Sequence, residues 1–220
     1  MLTVIKIGGG LAREAGDGAL RTLCGAIGEA ATRHGLLVVP GGGAFADAVR
    51  EHDSRFGLQA GTSHRMAILA MEQFGWLLSD LIAGSVPCAD PATDTRGRVK
   101  ILLPAALLAS DPLPTSWEVT SDSIAAWVAA RAGAERLVLV KPVEGLYRDW
   151  PPHGEPIARL SVGELAELRA AGLAAAVDEH LPEVLRMAGV EAWLIDGREP
   201  ARLVQLLEAG STEGTLVTPA

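Results

Sequence analysis

Aromatic side chains are scarce, with one tyrosine, three phenylalanines and five tryptophans in 220 residues. The core must therefore be packed from Leu, Val, Ile and Ala, with tryptophans as occasional anchors. Cysteine is scarcer still. Cys24 and Cys88 lie far apart and outside any CxxC or Cys/His metal-ligand spacing, so the sequence predicts two reduced, buried thiols rather than a disulfide framework or a metal site. Positive charge is in deficit, the formal net charge being −8. Nucleic-acid binders carry a basic face, so no nucleic-acid partner is expected. No apolar run approaches the roughly 18 residues of a membrane span, and glycines arrive at position 8, before an apolar leader could form. The expectation is a cytoplasmic protein with no membrane partner. The phosphate loops GxGxxG and GxxxxGK[ST] are also missing.

What is present is an alternation of short apolar runs and helical patterns. Strands are predicted at Leu2–Ile7, Leu36–Val39, Val99–Leu103, Arg136–Val140, Glu191–Ile195 and Gly214–Val217. Helices are predicted over Asp17–Arg33, Ala44–Ser54, Thr62–Ser79 (capped by Thr62 or Ser63), Ser121–Gly133 (strongly amphipathic), Val162–Ala171, Glu179–Met187 and Pro200–Glu208. Strands separated by helices imply βαβ units. The fold class is therefore α/β, a three-layer αβα sandwich with an open, mostly parallel sheet and helices on both faces. One domain over 1–220 is expected. The proline-rich Ser110–Ser116 is the candidate boundary between an N-lobe, 1–110, and a C-lobe, 111–220.

Two phrases stand out, "VIKIGGG" and "VVPGGGAF", each a strand running into three glycines, Gly8–Gly10 and Gly41–Gly43. In open parallel sheets ligands bind beyond the carboxyl ends of strands, where both triplets fall. Bare backbone admits a bulky anion to its N–H groups, and a helix starting there adds its positive dipole end. Lys6, inside the first strand, needs an anionic partner if buried, and a phosphate at the strand end would supply it. A third element, "TSDSIAA", places Asp122 at a helix start, either as an ordinary cap or facing those cations.

Together, "KIGGG", "VVPGGGAF", "TSDSIAA" with "ERLVLVKPVEGLY", and the terminal "GTLV" resemble the amino acid kinase family over nearly the whole chain. The resemblance implies ATP as cofactor and Mg²⁺ carried on its phosphates, with no separate protein metal site. It implies that Lys6 contacts the transferring phosphoryl group, that Gly8, Gly9 and Gly10 approach the ATP phosphates, and that Asp122 orders the lysines. Val143, Gly145 and Tyr147 would contact the nucleotide, while Gly41, Gly42, Gly43 and Ser121 would bind the acceptor. Homo-oligomers are usual in the family.

The stretches "PGGGAFADAVREHDSRFGLQAGTSHRMAILAMEQFG" and "LPTSWEVTSDSIAAW" look like the aminomethylfuran phosphate kinase branch, of methanofuran-type cofactor biosynthesis. That branch implies a small-molecule acceptor bearing a phosphate and an ammonium. Asp47 and Arg50 stand three apart on one helix face, where a carboxylate could pair the ammonium and a guanidinium the phosphate, or the two could simply pair with each other. Asp53, His64 and Arg65 are further candidates, His64 being equally suited to a backbone hydrogen bond. The chain departs from the family at "LAAAVDEHLPEVLR", which lacks the second lysine of a GMxxK-like stretch. Lys141, in "KPVEG", is the candidate substitute, with a nucleotide-ribose contact or plain surface exposure as the alternatives, and Asp178 and His180 either line the cleft or cap a helix. The alternatives are another kinase of this fold, of uridylate or isopentenyl phosphate type, or a non-catalytic nucleotide- or oxoanion-binding storage protein.

Overall fold

The computed structural model describes residues 1–92, 98–149 and 153–219. Among them eight strands form one sheet: β1 (Leu2–Ile7), β2 (Gly35–Pro40), β3 (Val86–Cys88), β4 (Lys100–Leu102), β5 (Arg136–Lys141), β6 (Arg159–Ser161), β7 (Glu191–Asp196) and β8 (Thr215–Thr218). Their spatial order is β3-β4-β2-β1-β5-β7-β8-β6. All neighbours run parallel except β7 and β8. The helices are α1 (Gly10–Ala30), α2 (Gly43–Phe56), α3 (Ala60–Leu81), α4 (Pro104–Leu107), α5 (Ser121–Arg131), α6 (Val162–Ala170), α7 (Leu181–Ala188) and α8 (Pro200–Ala209). The expected α/β sandwich with a mostly parallel sheet is the observed one.

The two-residue period of the strands divides the core into two slabs. Ile5 and Ile7 of β1, Val138 and Val140 of β5 and Ile195 of β7 pack with Leu11, Leu23 and Ile27 of α1 and Leu203 and Leu206 of α8. On the other face Val4, Leu137, Leu139 and Leu194 pack with Ile124, Ala125 and Val128 of α5 and Val184 and Leu185 of α7. Lys6 follows Val4 and Lys141 follows Leu139 by two residues, so both lysines stand on the α5 face. They also stand at the same edge, because β1 and β5 are parallel neighbours with Lys6 opposite Leu139.

Several boundaries depart from the sequence reading. The three-residue β3 and β6 and the four-residue α4 are too short to carry a period, and Pro104, read as ending a strand, opens α4. The helix expected from Asp17 begins at Gly10. Gly16, at φ +81°, interrupts it just before that point. Neither Thr62 nor Ser63 caps α3, whose N-cap is Gln59; the Ser63 hydroxyl donates instead to the Gln59 carbonyl. The expected amphipathic character of α5 is overturned. Asp122, Ser123, Ile124, Ala125, Ala126, Val128 and Ala129 are all buried, because the sheet covers one side and α7 the other. Small alanines permit that double burial and also blur the helical period.

The two glycine corners abut. A Cβ on Gly9 would lie 1.9 Å from the Gly43 Cα, and one on Gly41 would lie 3.2 Å from the Gly8 Cα. Backbone meets backbone here, so no side-chain rotation relieves an added methyl. Gly9→Ala is expected to separate the corners and to destabilise the fold by at least the ~1–3 kcal/mol of ordinary overpacking. Gly18→Ala is the control, since a Cβ at Gly18, inside α1, meets nothing within 4 Å. That substitution is expected to leave stability unchanged or raise it by up to ~1 kcal/mol through helix propensity. Thermal denaturation of the two variants checks both outcomes.

Candidate active site

Lys6 and Lys141 converge on one carboxylate. The Lys6 Nζ lies 2.9 Å from Oδ1 of Asp122, and the Lys141 Nζ donates to Oδ2 at 2.7 Å. Asp122 reaches them from the first turn of α5, where the Thr120 hydroxyl, as N-cap, accepts weakly from the Asp122 N–H at 3.5 Å. All three side chains are largely buried, Lys6 at 4% and Asp122 at 2% exposure. One carboxylate between two ammoniums leaves the group net cationic and short of an anion.

Burial lowers the Lys6 ammonium to about 8, with Asp122 opposing that shift and Lys141 reinforcing it. For Asp122, burial favours the neutral acid. Lys141 and Lys6 outweigh it and hold the carboxyl at about 2, so it is ionised at any physiological pH.

Lys6 and Lys141 form the floor of a cleft of about 400 Å³ whose walls include Gly8, Gly9, Gly10, Gly42, Gly43, Ser121, Val143, Ala175 and Ala176, with Asp122 buried behind the lysines. Gly41 is buried beneath it, in contact with the first corner. Gly145 and Tyr147 are not among the lining residues. A Cβ on Gly145 would meet the Thr215 hydroxyl at 2.6 Å and Pro156 at 2.8 Å, and the Tyr147 hydroxyl donates to Glu144. The backbone beyond Val143 thus packs toward β8 instead of staying at the cleft wall.

The cleft rim carries a group that sequence reasoning saw only in part. Asp47 accepts from Arg50 at 2.9 Å and from Arg13 at 3.2 Å. Arg13, on the turn of helix before the Gly16 kink, was not singled out, since nothing local in "GLAREAG" links it to position 47. Asp47 therefore braces two guanidiniums over the cleft. Arg50 also stacks on Trp117, 4.9 Å from the ring centre, and the Trp117 indole donates to Asp53 at 2.7 Å.

A recess of about 80 Å³ opens beside Arg50. Ala67, Ile68, Met71, Trp117 and Ile124 line it, with polar edges from Ser63, His64, Thr115, Ser116 and Ser121. Burial lowers the His64 pKa, partly opposed by Asp111 and reinforced by Arg65, so the imidazole is neutral at pH 7. Arg65 points away to Asp111. His180 pairs with Glu183, and Asp178 accepts hydrogen bonds at the starts of α5 and α7.

One signal would have marked the lysine pair sooner. The chain has only three lysines, Lys6, Lys100 and Lys141, all other basic side chains being arginine, and two of the three meet at Asp122. Among the described residues no cluster of three His, Cys, Asp or Glu side chains could hold a metal ion. The donors facing the cleft are ammonium, guanidinium and backbone N–H, a set that fits a polyphosphate.

A [5-(aminomethyl)furan-3-yl]methyl phosphate kinase of Methanocaldococcus jannaschii is 28% identical over 213 residues, covering 93% of this chain and 92% of that protein. The acetylglutamate kinase of Acidothermus cellulolyticus is 38% identical over 113 residues, covering 50% of this chain and 38% of that enzyme. In fold, the crystal structure of a uridylate kinase from Archaeoglobus fulgidus superposes with a TM-score of 0.77 at 21% identity, covering 99% of this chain and all of that one. The family model for amino acid kinases matches residues 1–196, and the chain belongs to the amino acid kinase family.

Proposed function

We propose that the chain is an ATP-dependent kinase whose acceptor is a small phosphate monoester of the aminomethylfuran type, the product being a diphosphate. The observation that carries this reading is the pair of lysines sharing Asp122 at the floor of the cleft where two glycine corners abut. Bound ATP would supply the phosphoryl group, and the Mg²⁺ held on its phosphates part of the neutralising charge. The glycine corner Gly8–Gly10 would cradle the nucleotide phosphates and Gly41–Gly43 the acceptor phosphate. Lys6 and Lys141 would neutralise charge on the oxygens around the transferring phosphorus, as the acceptor oxygen bonds to it and its bond to ADP breaks. Asp122 holds both ammoniums at that point. An acceptor phosphate is already anionic, so no side chain need act as a strong base.

The acceptor class is read from the rim and the recess. Arg50, with Arg13 beside it, faces the cleft where an acceptor phosphate would enter. The recess is lined mainly by apolar side chains and adjoins the cleft at Ala46, Arg50 and Ser121, which suits a small ring held beside the acceptor phosphate. None of its lining residues is a carboxylate. An ammonium there would be met by the neutral His64 ring and the hydroxyls of Ser63, Thr115 and Ser116. Asp47, already shared by two arginines, would serve the phosphate side.

A homo-oligomer is part of this proposal. The outer face of α3 exposes Leu69, Trp76 and Leu77, with Arg65 toward one end and Asp80 toward the other. A second copy packed antiparallel about a two-fold axis near Gln73 sets Leu69 against Trp76 and Arg65 against Asp80, a self-complementary pairing.

Four outcomes are expected. Lys6→Ala or Asp122→Asn lowers turnover by at least ~100-fold, the scale of a lost transition-state donor. In the unaltered enzyme kcat/KM for MgATP falls above a pH near 8, as the Lys6 ammonium loses its proton, and Lys6→Arg removes that alkaline limb. Steady-state kinetics over a pH series checks both. In a turnover screen, aminomethylfuran phosphate outpaces its des-amino analogue, UMP and isopentenyl phosphate. No turnover with any acceptor, despite ATP binding, would leave a nucleotide-binding protein instead. Sedimentation analysis gives a dimer or larger assembly, and Trp76→Glu shifts it to monomer; a monomeric parent removes the α3 pairing.

A further inference from the structure

The segment joining α6 to α7 meets the cleft in two ways. Ala175 and Ala176 form part of its wall. Two residues on, Asp178 is buried, and it lines neither the cleft nor the recess. Both of its oxygens are fully engaged. Oδ2 accepts from the Thr120 N–H at 2.9 Å, the Thr120 hydroxyl at 2.8 Å and the Ser123 N–H at 3.0 Å. Oδ1 accepts from the Ser123 hydroxyl at 2.5 Å and the Leu181 N–H at 2.8 Å.

The donors are the first turns of two helices, α5 and α7, so one carboxylate satisfies N–H groups that helix starts leave without intrahelical partners. Within α5 itself the cap is weak, the Thr120 hydroxyl lying 3.5 Å from the Asp122 N–H while donating to Asp178 at 2.8 Å. Ser121 and Asp122 sit between the two anchored residues, Thr120 and Ser123. The place of the Asp122 carboxylate is therefore set from outside its own helix.

We infer that Asp178 is a positioning residue: it clamps the first turn of α5 to the cleft-wall loop, and so fixes where Asp122 holds Lys6 and Lys141. The inference rests on the kinase reading only for its effect on turnover. Asp178 accepts at both oxygens here. An asparagine can keep its carbonyl toward the two α5 N–H groups and turn its amide toward the Ser123 hydroxyl, leaving the Leu181 N–H unpaired. Asp178→Asn should therefore preserve much of what Asp178→Ala loses.

The test follows Lys6 without needing substrate. With three lysines in the chain, Nζ-¹⁵N-lysine labelling gives a simple spectrum, in which Lys6 titrates near 8 in the parent protein. In Asp178→Ala the Asp122 carboxylate that supports the ammonium is displaced, so the Lys6 midpoint moves down and kcat falls at least tenfold; Asp178→Asn recovers most of both. A folded Asp178→Ala in which Lys6 titrates as in the parent overturns the inference. Should Asp178→Ala fail to fold, Ser123→Ala, which removes a single hydroxyl donor, must shift Lys6 in the same direction by less, and an unmoved midpoint there also overturns it. If the parent transfers no phosphoryl group yet Lys6 shifts as described, the kinase reading fails and the positioning role stands.

Discussion

One buried carboxylate held between two ammoniums is the constraint on which the rest of this molecule depends. Lys6 and Lys141 stand on adjacent parallel strands, on the same face and at the same edge, and without an anion between them they would repel each other in a poorly solvated site. Asp122 relieves that repulsion and leaves one positive charge uncompensated. Removing one member of such a buried set costs on the order of 3–5 kcal/mol, because the partners remain charged and unpaired. The fold tolerates the arrangement because the site opens into a cleft on one side and is walled by backbone glycine on the other.

The glycine corners and the charged group are linked through strand geometry. Chain reversals at the ends of β1 and β2 bring Gly9 against Gly43 so closely that no side chain fits between them. The helices that follow, α1 and α2, start at this contact and carry Arg13, Asp47 and Arg50 to the rim. The uncompensated positive charge thus lies at the floor, with Lys6 and Lys141, while at the mouth Arg13 and Arg50 are matched by Glu14 and Asp47, in a protein whose formal net charge is −8. Local charge at the cleft, against an acidic background, is what an anionic substrate would meet.

Much of this was legible in the chain. Long apolar strands such as Leu2–Ile7 and Arg136–Lys141 are buried on both faces, and their sequences say so. Lysine inside such a strand and three glycines at its end are local anomalies that point to an anion. The short edge strands β3 and β6 and the single turn α4 were not legible, since three or four residues carry no period. The burial of α5 on both sides was hidden because alanine reads as neither a core nor a surface residue. Arg13 escaped notice because its partner, Asp47, is 34 residues away, and the carboxylate of Asp178 gave no local sign of reaching back to Thr120 and Ser123.

Periodicity, glycine placement and the position of Lys6 were enough to determine an α/β sandwich with a lysine and two glycine corners at the carboxyl edge of its sheet, because those features act over a few residues of chain. The meeting of Lys6 with Lys141, the reach of Arg13 to Asp47 and the anchoring of α5 by Asp178 were decided by the tertiary structure alone. Each depends on strand order and register, which place residues far apart in the chain within hydrogen-bonding distance of one another.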